Sequence, residues 1–382
     1  MDIAFTDAEE QFRVEARAWL EANVPDPPLP SMDTSEGFEA HRAWEHRMAD
    51  ERWSVVAWPV EYGGRGASIV EWLIFEEEYW RAGAPGRVSQ NGIFLLAPTV
   101  FEFGTDEQKQ RFLPPMARAD DVWAQGWSEP DSGSDLASLR TRADRRGDAW
   151  VLNGQKTWCS RAAYADWIFV LARSDPASER HRGLTYFLVP LTADGVTVRP
   201  IPQLDGEPGF AEVFFDDVRV PDENVLGGVG EGWRVAMSTA GQERGLSLRS
   251  PGRFLATAER LAELWRERPD PRLREDVAQA WIDADAYRLF TFGTVTRLLG
   301  GAAIGAESSV NKLFWSDLDV RMHETALSLL GERGLLTSAA PDVVPPWLDG
   351  WLFSLAGPIY AGTNEIQRSV VAERVLELPR ER

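Results

Sequence analysis

The chain contains very few cysteine and histidine residues, one and four among 382. A lone cysteine, Cys159, excludes a disulfide within the chain and favours a reducing compartment. Apolar runs stay well below the roughly 18 residues that a membrane-spanning helix needs, and the first residues are acidic where a signal peptide is basic. Basic residues are outnumbered, 40 against 60 acidic ones, and a net charge of −20 opposes binding to nucleic acid or to an anionic bilayer. We therefore expect a cytoplasmic protein with no membrane span and no nucleic-acid partner.

The composition is otherwise that of a folded protein, with 44% apolar and 26% charged residues and a length sufficient for two or three domains. Its 17 tryptophans are unusual. Large aromatic side chains either fill cores or stack on flat ligands. We expect most of these tryptophans to lie in cores or interfaces.

The first 120 or so residues have a helical pattern. Thr6 and Glu9 in "TDAEEQF" form a capping-box signature, and Phe12, Ala16 and Trp19 follow on one helical face. From about residue 122 the pattern changes to short runs rich in β-branched and aromatic residues, namely "DWIFVLAR", "LTYFLVP", "GVTVRPI" and "AEVFFDDVRV". These runs predict a β domain.

Helical spacing returns after "GGVGEGW". Two series of apolar residues have this helical spacing. The first is Phe254, Ala258, Leu261 and Trp265, and the second is Val277, Trp281, Ala284 and Tyr287. The Pro-rich pieces "VPDPPLP" and "RERPDPR" are interpreted as loops. The order predicts an α+β protein with a helical domain over 1–121, a β domain over 122–231 and a helical domain over 232–382.

Six segments resemble the acyl-CoA dehydrogenase family in order and spacing. They are "WPVEYGGRG", "GTDEQKQRFLPPMA", "WSEPDSGSDLASLRT", "LNGQKTWCS", "FFDDVRVPDENVLG" and "IYAGTNEIQR". The resemblance implies an N-terminal helical domain, a β-barrel-like middle domain and a C-terminal four-helix bundle. It also implies FAD as cofactor, an acyl-CoA thioester as substrate, an electron-transfer flavoprotein as acceptor, and no metal site. In the family's usual reaction a carboxylate removes the α-proton while the β-hydride passes to flavin N5.

The resemblance assigns a flavin-binding role to two of these segments. Isoalloxazine is flat with a polar rim, so it needs hydrogen-bond donors at the rim and an aromatic or apolar face beside the ring. Trp127, Ser128 and the turn at Gly133 and Ser134 would follow the flavin edge, with Ser134 also near the thioester. Trp158, Cys159 and Ser160 would cover the ring. Taken alone, the first segment also fits a polar turn, and Trp158 also fits a core residue.

Cys159 lies within this cover, and we interpret it as a small packing residue. A nucleophilic cysteine needs an adjacent base, and none of the four histidines is obviously paired with it.

The general base is missing from its usual place. Many family members carry a glutamate between the Tyr and Gly of the terminal loop, where this chain has Ala361. A minority carry the glutamate directly before an arginine on a helix of the C-terminal domain, and Glu243 followed by Arg244 matches that position. The resemblance therefore implies Glu243 as base, with Arg244 orienting the loop or helix. A surface ion pair within "QERG" is the alternative.

The terminal loop also carries matches to cofactor-binding positions. Gly362, Thr363 and Glu365 correspond to family residues that contact FAD. The backbone N–H of Ala361 could still donate to the thioester carbonyl oxygen, since that role needs no side chain.

The chain departs from the family where members contact the FAD of a neighbouring subunit. Arg268 stands near the place of a family arginine, but the Phe-Gly that follows it in relatives is absent. Ser328 replaces a glutamine, and Glu332 replaces a glycine. Some relatives that act on bulky thioesters, such as steroid side chains, form mixed tetramers with one impaired site per pair. A homo- or heteromeric dimer or tetramer is expected.

Two alternatives to the dehydrogenase stay open. The chain could be a flavin oxidase or monooxygenase, because oxygen access depends on cavity shape. It could also be a non-catalytic or FAD-sharing subunit of a heteromeric acyl-CoA dehydrogenase.

Overall fold

A computed structural model describes residues 4–244, 250–302, 305–336 and 345–379. Helices precede the sheet, as the sequence predicts, and Thr6 and Glu9 close the predicted capping box. Phe12, Ala16 and Trp19 are buried on one face of the first helix. The helices of this part are α1 (Asp7–Asn23), α2 (Ser35–Asp50), α3 (Ile69–Arg81), α4 (Ala97–Phe103) and α5 (Asp106–Ala117).

The central part of the chain forms one sheet. The four runs singled out in the sequence become β4, β5, β6 and β7. The strands are β1 (Trp123–Gly126), β2 (Arg142–Arg146), β3 (Ala149–Ser160), β4 (Trp167–Arg173), β5 (Leu184–Pro190), β6 (Val196–Ile201), β7 (Phe210–Pro221) and β8 (Val225–Leu226). Their order is β6-β7-β3-β2-β4-β5-β8, with β1 parallel to β4.

Helices return after the sheet, again as predicted. They are α6 (Gly232–Arg244), α7 (Pro251–Glu267), α8 (Arg274–Leu299), α9 (Ser308–Leu330), α10 (Pro345–Ser354) and α11 (Asn364–Val370). The piece "RERPDPR" separates α7 from α8 and includes a short 3₁₀ turn at Pro271–Leu273. Helix α9 ends at Leu330, and the next residue, Gly331, has a φ of 59° in the left-handed region that suits glycine.

Packing divides the chain into two compact units that do not follow chain order. The sheet unit comprises residues 25–67 and 85–243, and the helical unit comprises the described residues of 1–24, 68–84 and 244–382. Each unit gathers segments that are far apart in sequence. The domain boundaries at residues 121 and 231 stay a prediction.

The core of the sheet unit lies on apolar strand residues that alternate along β3, β4, β5 and β7. Its fully buried members include Leu152, Cys159, Ile168, Val170, Phe187, Val189, Val213 and Val218. Strands β3 and β7 are antiparallel and both twelve residues long. This long ladder positions the C-terminal end of β3, where the segment "KTWCS" lies.

The helical unit has its own core, formed by α7, α8 and α9. Phe254, Ala258, Leu261 and Tyr287 are buried there as the spacing predicts. Trp281 differs, because it is 42% exposed although it continues the apolar spacing of α8. All but two of the 17 tryptophans are buried or half-buried, and the two are Trp158 and Trp281.

Within the described part of the chain, every helix is too short or too polar to cross a membrane.

Candidate active site

The segment "WSEPDSGSD" forms a tight turn after β1. Glu129 and Ser132 pair through reciprocal backbone hydrogen bonds of 2.9 and 3.0 Å. The Ser132 hydroxyl donates to the carbonyl oxygen of Asp135 at 2.9 Å, which closes the loop from inside. Gly133 and Ser134 are left exposed at the tip. A Cβ added at Gly133 would meet no atom within 4 Å, so the turn faces open space.

Trp158 has an unusual backbone within β3. The register against β7 slips between Lys156 and Cys159, which marks a β-bulge, and Trp158 has a φ of 59°. A left-handed conformation is costly for a large L-residue and is most often found at functional sites. The bulge turns the indole outward to 59% exposure, edge-on to Phe210 with ring centroids 6.0 Å apart. Ser160 follows, half-buried at the end of the strand.

Cys159 points the other way, into the sheet core. It is fully buried, and burial raises the pKa of its thiol to about 12. A thiol with such a pKa is protonated at neutral pH and is a poor nucleophile. The structure thus places Cys159 as a packing residue, and its side chain does not share the exposed surface of Trp158.

A buried ion pair joins the turn to β3, and sequence reasoning missed it. Lys156 is fully buried and Glu129 is 9% exposed. Burial alone would raise the pKa of Glu129, but the Lys156 ammonium and the N–H donors of Arg140 and Thr141 lower that pKa below its ordinary value. Burial lowers the pKa of Lys156, and Glu129 opposes that effect. The sequence carries no local signal for this pair, because Lys156 is flanked by the polar residues Gln155 and Thr157 and its partner lies 27 residues earlier in the chain.

The terminal loop belongs to the helical unit and holds two successive residues at positive φ. Ala361 has a φ of 57° and Gly362 a φ of 80°. The Gln367 side-chain amide donates to the carbonyl oxygens of Ala361 and Gly362 at 3.1 and 3.3 Å, which fixes this bend. Thr363 caps α11 by accepting the Ile366 N–H. The backbone N–H of Glu365 itself and then the Thr363 hydroxyl hydrogen-bond with the exposed Glu365 carboxylate and lower its pKa.

A second buried lysine, Lys312, anchors this loop to helix α9. Lys312 of α9 is fully buried and donates to the Asn364 side-chain oxygen at 2.8 Å. The Asn364 amide group donates in turn to Ser316 and Asp317 of the same helix, each at 3.2 Å. Tyr360 stacks on Trp315 with ring centroids 5.9 Å apart. The loop backbone is therefore held against α9 on both sides of Ala361.

The predicted base and its neighbour lie at the end of α6, which runs from Gly232 to Arg244. The side chains of Glu243 and Arg244 lie outside the described residues. Arg268 is half-buried and directly follows the last residue of α7, while Ser328 and Glu332 are exposed at and just after the end of α9. The residues expected to bind the flavin thus form two sets. Trp127 to Ser134 and Trp158 to Ser160 meet in the sheet unit, where the Thr157 N–H donates to the Ser128 carbonyl oxygen at 2.9 Å. The terminal loop is in the helical unit.

Profiles of three acyl-CoA dehydrogenase domains match almost the whole chain. The N-terminal domain matches residues 6–120, the middle domain 124–218 and the C-terminal domain 230–376. The chain belongs to the acyl-CoA dehydrogenase family. The predicted α+β fold and the predicted family are confirmed, and the chain is an acyl-CoA dehydrogenase-type oxidoreductase that uses FAD.

Individual members of the family resemble the chain over its full length. Acyl-CoA dehydrogenase IpdE1 of Mycobacterium tuberculosis is 42% identical over 97% of this chain and 98% of its own. Among solved structures, the Tcur3481-Tcur3483 steroid acyl-CoA dehydrogenase is 30% identical with a TM-score of 0.89, over 100% of both chains. The ChsE4-ChsE5 complex from Mycobacterium tuberculosis is 31% identical with a TM-score of 0.85, also over 100% of both chains.

The residues of the sheet unit fit the flavin of this family. The Trp127 indole N–H is buried and has no hydrogen-bond acceptor among the described residues, so this donor beside the turn is left unsatisfied by the protein. The exposed indole of Trp158 supplies a flat aromatic face in the same unit. Trp127, Ser128 and Trp158 are the residues that would hold FAD there.

Proposed function

We propose that the chain catalyses α,β-dehydrogenation of a bulky acyl-CoA thioester, with Glu243 as the general base. The observation that carries this proposal is the occupant of the terminal loop. That loop keeps its anchors on α9, yet its catalytic position is Ala361, which cannot accept a proton. A carboxylate base must then come from elsewhere, and Glu243 stands where a minority of the family carry theirs.

The environment of α6 supports this assignment. Ala236, Thr239 and Ala240 are buried, and Glu243 follows Thr239 by four residues, about one helical turn. The Thr239 hydroxyl hydrogen-bonds with the Thr99 hydroxyl at 2.8 Å. A base that removes a weakly acidic α-proton needs partial desolvation, which raises a carboxylate's pKa toward neutrality. The place of Glu243 in the chain, four residues after the buried Thr239, is what supports this assignment.

The other residues would orient the substrate and stabilise charge. The Ala361 N–H would donate to the thioester carbonyl oxygen and stabilise the developing enolate. Arg244 would orient the loop or helix, and Ser134 would lie near the thioester. Bound FAD supplies the acceptor for the β-hydride, and an electron-transfer flavoprotein in the cytoplasm would reoxidise it.

The test is Glu243→Gln, which keeps the size of the side chain and removes its basicity. We expect turnover to fall by roughly 10²- to 10⁴-fold, as for a lost general base, with the flavin spectrum unchanged. The matched control is Glu231→Gln, because Glu231 lies just before α6 and its exposed carboxylate pairs with Arg234 at 2.8 Å. Wild-type turnover by Glu243→Gln, with normal flavin content, would contradict the assignment.

The substrate and subunit composition are inferred from relatives and from the surface. One similar structure is that of a steroid acyl-CoA dehydrogenase and another is that of a two-chain complex, which supports a polycyclic or similarly bulky acyl group and a heteromer. In the helical unit, Trp281 and Ile282 are exposed beside a cleft of about 910 Å³, which supports a subunit contact there.

A second candidate is an FAD-sharing subunit, favoured by Ser328 and Glu332. Flavin content separates the two. Near-stoichiometric FAD in the chain purified alone supports a self-sufficient enzyme, and FAD retained only with a co-expressed partner supports a shared site.

A further inference from the structure

The Lys156–Glu129 pair is unusually complete for a buried charge. The Lys156 ammonium donates to Glu129 Oε1 at 2.8 Å and to the Trp127 carbonyl oxygen at 2.9 Å. Glu129 also accepts the backbone N–H groups of Arg140 and Thr141, at 2.6 and 2.8 Å. Burying a charge is costly unless it is paired and hydrogen-bonded, and both members of this pair are.

The contact to Trp127 has a geometric consequence for the next residue. A trans peptide points its carbonyl and its N–H in opposite directions. Because Lys156 holds the Trp127 carbonyl, the Ser128 N–H must point away from Lys156. The Ser128 carbonyl is in turn held by the Thr157 N–H at 2.9 Å, so two successive carbonyls are fixed to β3. The orientation of this peptide is therefore set by the lysine and its strand.

One donor remains available on this fixed segment. The Ser128 N–H has no acceptor among the described residues, while the Trp127 indole N–H, also without an acceptor, is enclosed by protein atoms. Ser128 is half-buried, so part of this residue is open to a bound molecule. An isoalloxazine rim carries oxygen and nitrogen atoms that accept hydrogen bonds, and Trp127 and Ser128 are the proposed flavin edge.

We propose that Lys156 and Glu129 are positioning residues for the flavin. Lys156 fixes the Trp127–Ser128 peptide so that the Ser128 N–H faces the isoalloxazine rim, and Glu129 holds the Lys156 ammonium in place. This inference rests on the proposed flavin edge and is independent of the base Glu243. It predicts that loss of the pair changes how the flavin is bound, beyond any loss of stability.

The experiment measures flavin binding by the full chain, together with its partner subunit if it forms a heteromer. Lys156→Met removes the donor at similar volume, Glu129→Gln removes the counter-charge, and Lys156→Arg keeps a cation. The matched control is Asp166→Asn, because Asp166 accepts from Arg42 and from the Val122 N–H in the same unit, each at 2.8 Å. FAD affinity is measured by quenching of flavin fluorescence, flavin carbonyl stretching by Raman spectroscopy, and Tm by calorimetry.

We expect Lys156→Met to weaken FAD binding by about 10-fold and to raise a flavin carbonyl stretching frequency, because one hydrogen bond to the rim is lost. Glu129→Gln should show a smaller shift of the same sign, and Lys156→Arg should restore part of the wild-type spectrum. Asp166→Asn should lower Tm without a spectral change. If Lys156→Met does not fold, Glu129→Gln and Lys156→Arg carry the same comparison.

A lower Tm with wild-type affinity and spectrum in the Lys156 and Glu129 variants would overturn the positioning role. The dehydrogenase proposal would survive that result, because it fails only when Glu243→Gln keeps wild-type turnover. Absence of FAD binding by the wild-type protein would overturn the flavin edge and this inference with it.

Discussion

Two fully buried lysines anchor the two segments that we propose bind the cofactor, and among their hydrogen-bond acceptors Glu129 is charged and Asn364 is neutral. In the sheet unit, Lys156 binds the Glu129 carboxylate and a backbone carbonyl. In the helical unit, Lys312 donates to the Asn364 amide oxygen and lies 5.9 Å from the centre of the Trp315 ring. The first contact joins a turn to a strand through formal charges, and the second joins a loop to a helix through a neutral amide. The comparison shows that two loops are anchored by similar lysines, although removing each lysine should cost a different amount of folding stability.

The largest difference should appear when each lysine is removed. Lys156→Met leaves the buried Glu129 charge without its cation, which we expect to cost about 3–5 kcal/mol in the free energy of unfolding. Lys312→Met leaves Asn364 with its contacts to Ser316 and Asp317, so the hydrogen bond lost at Asn364 should cost about 1 kcal/mol. Denaturant unfolding measures both values. Equal losses would break the comparison.

The pH dependence of stability should follow the Glu129 carboxylate of the first anchor. The folded-state pKa of Glu129 is lowered, so its ionised form contributes stability that is complete above the ordinary pKa of 4.5 and is lost as pH falls through the folded-state value. Between neutral pH and pH 3, the free energy of unfolding of Glu129→Gln should therefore fall by about 1–3 kcal/mol less than that of the wild type. Asn364→Ala should keep the wild-type slope, because the amide does not ionise. Unfolding curves between pH 3 and pH 7 would show the difference, and parallel curves for wild type and Glu129→Gln would contradict it.

The smallest effect concerns the backbone of Ala361, in the terminal loop that Lys312 anchors. Ala361 sits at positive φ, where an L-residue pays about 1–2 kcal/mol and glycine pays little. Ala361→Gly should stabilise the protein by up to about 1 kcal/mol, the greater freedom of glycine in the unfolded chain offsetting part of the gain. Ala286→Gly, on the exposed side of α8, should instead destabilise by about 1 kcal/mol. Thermal unfolding of the two variants should shift Tm in opposite directions.

Much of the fold could be predicted from short-range patterns. The capping box at Thr6 and the strands β4 to β7 depend on neighbouring residues, and these features were predicted correctly. The spacing of α8 also placed Ala284 and Tyr287 in the core. Trp281 has the same spacing yet is exposed, because periodicity gives the face of a helix and not what covers it.

The candidate site could be predicted only through resemblance to a family. The motifs named Trp127 and Trp158, but nothing local indicated that Trp158 lies at a bulge with positive φ. The Lys156–Glu129 pair joins residues 27 apart and depends on how the turn folds back on β3. The packing of α1 on α3 and of α3 on α7 likewise joins distant parts of the chain, which composition and periodicity do not encode.

The burial of Cys159 makes the only thiol of the chain a probe of how often the sheet core opens. Because its sulfur is enclosed in the sheet core, a thiol reagent can reach it only when that core opens. The labelling rate of Cys159 therefore reports how often the core of the sheet opens, without any engineered probe. Any ligand that stabilises the closed sheet should lower this labelling rate, including a ligand that does not contact the cysteine.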